Sequence, residues 1–341
     1  MSLPELWFGF IAVLWTGFFV LEGFDFGVGM LHRVVGRSEH EQRVAINTIG
    51  PFWDANEVWL VVGGAAIFAA FPAWYATWFS AGYLAVALLL AALIIRGVSF
   101  EFRGKVENPR WRTTWSGTLT VGSLLAPLVL GVALGDLVVG LPINEKEEFT
   151  GSFWDLFTGY GVWTALTLVA LCLLHGATFL TLRTTGGLRD RANRAARVLT
   201  WVALGAVAAF AVWTLALVSD SVTLYVALGA AVVAVAVAAV RVPSDRDGQA
   251  FSATAVALGA TVLSLFVALY PNVLTSSTNS AWSLTVTGAA SSEYALKVMT
   301  IVGAVLFPLV LGYQAWTYFV FRHRVSAGPE TSEVGAGKAA D

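Results

Sequence analysis

Nine apolar stretches of about 20 residues or more run along this chain, and that is the length an α-helix needs to cross the hydrocarbon core of a bilayer. They lie near 5–31, 52–72, 75–99, 114–136, 153–182, 198–219, 221–240, 250–271 and 293–321. Pro72 separates the second from the third, Asp220 the sixth from the seventh, and Pro271 closes the eighth. Of the 341 residues, 57% are hydrophobic and 12% charged, roughly half the charged share of a soluble domain. The expected fold is an all-α polytopic integral membrane protein with nine transmembrane helices, grouped as two four-helix bundles plus one peripheral helix. Residues 1–325 are expected to form one transmembrane domain, and the tail 326–341, rich in Gly, Ala and Glu, to be a disordered cytoplasmic extension. Soluble catalytic domains and nucleic-acid binding are excluded. The single cysteine, Cys172, lies in an apolar span and reads as a small packing residue.

The basic residues orient such a bundle. Arg33, Arg37 and Arg43 follow the first span; Arg96, Arg103, Lys105, Arg110 and Arg112 lie between the third and fourth. Arg183, Arg189, Arg191, Arg194 and Arg197 follow the fifth, Arg241 and Arg246 the seventh, and Arg322, Arg324 and Lys338 the ninth. Only Lys146 and Lys297 fall on the opposite side. Cytoplasmic loops carry the excess of Lys and Arg, so the N-terminus is expected outside and the C-terminus in the cytoplasm. No basic residue precedes Arg33, so the first span lacks the charged lead of a cleavable signal and is expected to stay.

Within this apolar frame, Trp53-Asp54-Ala55-Asn56-Glu57 carries two acids and an amide into the second span. Ionisable groups in hydrocarbon cost at least a few kcal/mol and are usually kept for function, with a partner. Asp54 and Glu57 are three apart and share a helix face, flanked by Trp53 and Asn56. Glu22 and Asp25 repeat that spacing in the first span, where Gly23 and Gly27 let another helix approach closely. By the assigned orientation all four acids converge in the cytoplasmic half, with Arg96 and Glu101 as the nearest candidate partners. Burial and neighbouring carboxylates both favour a neutral carboxyl, so such acids can carry exchangeable protons. The functional reading is a proton path led by Asp54 and Glu22; the alternative is an ion-pair network on Arg96 that locks the first three helices. Asp25 and Glu57 fit either role.

His32, His40 and His323 lie at or beyond the cytoplasmic helix ends, leaving His175 as the one histidine at membrane depth. A bis-histidine haem cannot be assembled from these, and an inter-helix hydrogen bond is the expected role of His175. No Cys/His metal cluster, Gly-rich phosphate loop or haem-attachment motif is present in the sequence. No cofactor is therefore expected on this chain's own ligands. Trp7, Trp74, Trp78, Trp154 and Trp282 fit an interfacial aromatic belt. Pro308, taken as the one proline inside a span, is expected to kink the ninth, with Tyr313, Trp316 and Tyr318 beyond it as packing or quinone contacts.

Glu22 followed by Gly23-Phe24-Asp25-Phe26-Gly27-Val28-Gly29-Met30-Leu31, the run Pro51 through Leu60, and Phe68-Ala69-Ala70-Phe71-Pro72 together resemble subunit II of cytochrome bd quinol oxidase. Lys297-Val298-Met299-Thr300, Pro308, Tyr313 and Trp316 resemble that family's last helix. The resemblance implies a haem-free subunit of a quinol oxidase of the bacterial cytoplasmic membrane, which reduces oxygen to water. It implies a haem-bearing subunit I of similar fold as partner, carrying the b and d haems. It also implies roles in assembly and in a cytoplasmic proton channel that includes the position of Asp54 and that of Glu22 or Asp25. This chain has Glu22 where relatives often have Asp, and Glu57 where some have Gln, which leaves open which acid leads. A structural quinone occurs in some members; its contacts cannot be transferred to positions here. Arg outnumbers Lys 16 to 4, which points to a GC-rich genome and to menaquinol as the expected quinol. The competing function is a proton-coupled secondary transporter acting alone, but such folds place their sites at the midplane with broken helices.

Overall fold

The computed structural model describes residues 2–218 and 221–326. Asp220, Lys338 and all of the expected tail except Ser326 lie outside the described residues. Helix α1 (Leu3–Val35) starts in a capping box: the Glu5 amide donates to Ser2 Oγ at 3.4 Å and the Ser2 amide to Glu5 Oε2 at 2.7 Å. It is buried along most of its length and touches α3 (Trp53–Ala70), α6 (Pro109–Val139), α7 (Gly159–Arg183) and α10 (Asp247–Leu269). The crossing with α7 is made of backbone. A Cβ on Gly27 would lie 2.7 Å from Gly176 Cα, and one on Gly23 2.5 Å from the Leu258 side chain of α10. The two small residues thus serve the close approach expected of them.

Helices α7, α8 (Gly186–Leu217), α9 (Val222–Arg241) and α10 pack on one another as a four-helix group. Helices α1, α3, α6 and α5 (Tyr83–Phe102) make the other side, joined to the first by α1 and α6 against α7. Helix α11 (Glu293–Val320) is peripheral, with Leu296 and Gln314 as its buried residues.

Several expected boundaries are corrected. The third span is two helices, α4 (Pro72–Ala81) and α5, divided at Gly82; Pro72 opens a helix directly because a helix's first position needs no amide donor. The fifth span begins as a short 3-10 turn, Phe153–Leu156, before α7 starts at Gly159. Helix α8 begins at Gly186, well before 198, because its first turns carry Arg189, Arg191, Arg194 and Arg197: apolarity marks the hydrocarbon portion, not the helix. Between the first two spans lies a further helix, α2 (Glu39–Asn47), capped by Ser38 and Glu41. Pro308 is not the only proline within a helix, since Pro127 lies inside α6. Among the described residues eight helices are long and apolar enough to cross a membrane; α3 is not one of them, since Asp54, Asn56 and Glu57 lower the hydropathy of its 18 residues.

One end of the bundle gathers the basic helix termini into ion pairs. Arg103 reaches Glu39 at 2.9 Å, Arg191 reaches Glu41 at 2.5 Å, and Asp247 takes Arg189 at 3.0 Å and Arg324 at 2.8 Å. At the other end β1 (Asn272–Leu274) pairs antiparallel with β2 (Leu284–Thr285), and Leu141 bridges to Ser276, so the two loops there fold together. Intramembrane hydroxyls bond their own helices, as Thr181 to the Ala177 carbonyl and Thr261 to that of Ala257.

Candidate functional site

Glu22 and Asp25 both point from α1 into the protein and are fully buried. Arg96, one turn and a half before the end of α5, meets the first of them: Nη2 lies 2.6 Å from Glu22 Oε1, with both side chains at 0% exposure. Its Nη1 lies 3.4 Å from Glu57 Oε2 on α3, where the Glu57 side chain is 21% exposed. The guanidinium sits over Phe26 at 4.9 Å and Phe100 at 5.4 Å, and Trp53 stacks on Phe100 at 4.7 Å. One cation therefore holds an inner acid and an outer acid in a largely aromatic surround.

Asp25 has a different partner. Asn56 Nδ2 donates to Asp25 Oδ2 at 2.7 Å and to the Leu21 carbonyl at 2.9 Å. Asn56 Oδ1 in turn accepts from Gln314 Nε2 at 2.7 Å and from the Tyr318 hydroxyl at 3.1 Å. Glu22 Oε2, Asp25 Oδ1 and Arg96 Nε meet no protein hydrogen-bond partner. Buried polar atoms are nearly always paired, and these three belong to the two inner acids and the cation that meets one of them.

The four acids do not form one cluster. Asp54 is exposed on the outward face of the first turn of α3 and makes no ion pair among the described residues. It shares with Glu57 a groove of about 940 Å³ between α3, α4 and α5, otherwise lined by apolar and aromatic groups such as Val61, Phe68, Tyr75 and Phe79. Glu57 thus stands between groove and interior. Glu101 is exposed beyond Arg96, whose carboxylate partners are Glu22 and Glu57.

Two residues of this arrangement were missed in the sequence. Gln314 is an uncharged amide in an apolar run, and Tyr318 stands among aromatics that suit packing or a quinone contact; their spacing of four, placing both on one helix face, is the available signal. A third, Asp136 on α6, is buried and accepts from Thr158 Oγ1 at 2.5 Å near the opposite end of the bundle.

His175 joins three helices. Its Nδ1 lies 2.7 Å from Thr254 Oγ1 on α10 and its Nε2 3.2 Å from the Val20 carbonyl on α1, while the ring stacks on Phe251 at 4.5 Å. With both nitrogens occupied and one face covered, the imidazole does not fit a haem ligand. Among the described residues no group of three or more His, Cys, Asp or Glu could hold a metal.

Comparison with known proteins gives a consistent pattern. The sequence model of the family described as cytochrome bd terminal oxidase subunit II matches residues 3–321. Cytochrome bd ubiquinol oxidase subunit 2 of Bacillus subtilis is 46% identical, over 95% of this chain and 97% of its own length. Cytochrome bd-I ubiquinol oxidase subunit 2 of Escherichia coli is 36% identical, over 95% of each. Among solved structures, a chain of the bd oxidase from Geobacillus thermodenitrificans matches with a TM-score of 0.72, at 16% identity, over 94% of this chain and 99% of that one. That last likeness is one of fold.

Proposed function

This chain belongs to the cytochrome bd terminal oxidase subunit II family, and from that premise we propose that it supplies protons, but no haem, to the oxygen-reducing centre of its complex. It is a subunit of a quinol:oxygen oxidoreductase and a multi-pass protein of the bacterial cytoplasmic membrane. Haems b and d belong, in this reading, to subunit I, whose assembly this chain supports; membrane lipid and quinone are its other partners. The engaged nitrogens of His175 favour that division. Helix α3 counts as the ninth span, and the end rich in arginine faces the cytoplasm.

In this proposal protons enter at Asp54 and Glu57 in the groove, pass to Glu22, and continue to Asp25 toward the partner. Arg96 presents its guanidinium to both acids. It holds Glu57 and Glu22 on two nitrogens of one guanidinium and offsets the negative charge that the acids would otherwise accumulate in low dielectric. The single observation that carries the reading is this continuity from the half-buried Glu57 to the fully buried Glu22, beside acid oxygens without protein donors. The full-length relatives are oxidase subunits, so nothing favours the transporter. Asp54→Asn tests the entry: oxygen consumption by the assembled oxidase should fall severalfold with the haem spectrum intact. Unaltered turnover would refute the assignment of Asp54, and loss of the complex would favour a structural role.

A further inference from the structure

Asn56 uses every hydrogen-bonding position of its amide. The Leu21 carbonyl can only accept, so the nitrogen edge must face α1, where it also meets Asp25; the oxygen edge is left to α11. There Gln314 and Tyr318, one helical turn apart, both donate to Oδ1. The contact stands out because α11 packs so little: Val310, Leu311, Tyr313, Trp316 and Phe319 around it are exposed, whereas Gln314 is buried. A peripheral helix has thus aimed two of its inward polar groups at one oxygen, while a third, Thr300, accepts from Trp7 of α1 at 3.0 Å.

We infer that Gln314 and Tyr318 are positioning residues, which fix the Asn56 amide so that Asp25 always faces a hydrogen-bond donor. The inference rests on the proposed proton path and adds to it a control on when Asp25 releases its proton. Two donors on Oδ1 also polarise the amide and strengthen its N–H as a donor to the carboxylate. Without them Oδ1 is stranded in an apolar site, the side chain turns to find another donor, and the ionised form of Asp25 loses its support. The other titratable groups around Asp25 are Glu22 on its own helix, Glu57 on α3, Arg96 on α5 and Tyr318 itself. On α7, Cys172 and His175 pack against Gly23. None of these except Tyr318 is altered by the test.

The test uses Tyr318→Phe and the double variant Gln314→Leu/Tyr318→Phe in the oxidase purified with its partner subunit. Two quantities are followed against pH: quinol-driven oxygen consumption, and the infrared carboxylic-acid band that Asp25→Asn abolishes. Both should move to higher pH, by about one unit in the double variant, the tenfold change in proton affinity that one hydrogen bond to a charged group supports. Tyr318→Phe should move them less, in the same direction, and decides alone if the double variant does not assemble. Unmoved profiles, with Asp25→Asn slow, would overturn the inference and leave the proton path standing. Full turnover in Asp25→Asn would instead remove Asp25 from the path, and this inference with it.

Discussion

Arg96 has two acids within reach and no exposed atom to spare, so changes at either end of its ion pair differ in kind. Removing the cation strands a buried negative group, a loss of about 3–5 kcal/mol where it has been measured. Arg96→Met should therefore abolish accumulation of the assembled oxidase, scored as haem-absorbing complex per milligram of membrane protein; a normal yield would show the pair to be dispensable. The neutral isostere Glu22→Gln should still assemble. At this scale the acids were legible because ionisable residues stand out in an apolar run. Which of them face inward was not. Residues three apart differ by only about 60° around a helix, yet Glu57 reaches α5 while Asp54 looks outward, and that choice is made by the neighbours rather than by α3. Glu101 shows the same limit, one turn past Arg96 and exposed. Gln314 was illegible for a simpler reason: its meaning comes from Asn56, 258 positions away in the chain.

The elements follow from apolar length where hydrocarbon surrounds them and from caps where water does. The middle of each span was therefore legible, while the charged starts of α2 and α8 were not. Gly27 and Gly176 set the distance between α1 and α7, and no side chain fits between those backbones. Gly27→Leu should leave no monodisperse protein in detergent size-exclusion chromatography, and a normal elution profile would contradict that packing. Helix α2 is held by Glu41, which accepts from Arg191, and from the amides of Arg37 at 2.7 Å and Ser38 at 3.3 Å. Burial pushes the Glu41 carboxyl up, but Arg191 and these amides outweigh it and hold it below the usual range. A carboxylate whose folded value lies below its unfolded one, near 4.3, contributes stability at higher pH and loses it as pH falls through the folded value. Proteolysis within α2 should accordingly stay slow across neutral pH and accelerate only in acid, below about pH 4; acceleration already at pH 6 would contradict this.

For the whole molecule, the crowding of 17 described Lys and Arg toward one end could be read from sequence because it depends only on loop order. The proposed division of labour with a haem-bearing partner rests on His175, whose two ring nitrogens are already engaged. His175→Ala should leave every haem band in the purified complex unchanged, and the loss of one would place a ligand here after all. The central claim is that protons reach the oxygen-reducing centre through the buried acids of this chain. It is tested most directly by a single-turnover oxygen pulse on the Glu22→Gln complex, following haem oxidation and proton uptake together. The account predicts that the first, proton-independent electron transfer keeps its rate while proton uptake and the step coupled to it slow severalfold. Proton uptake at the unmodified rate would contradict it.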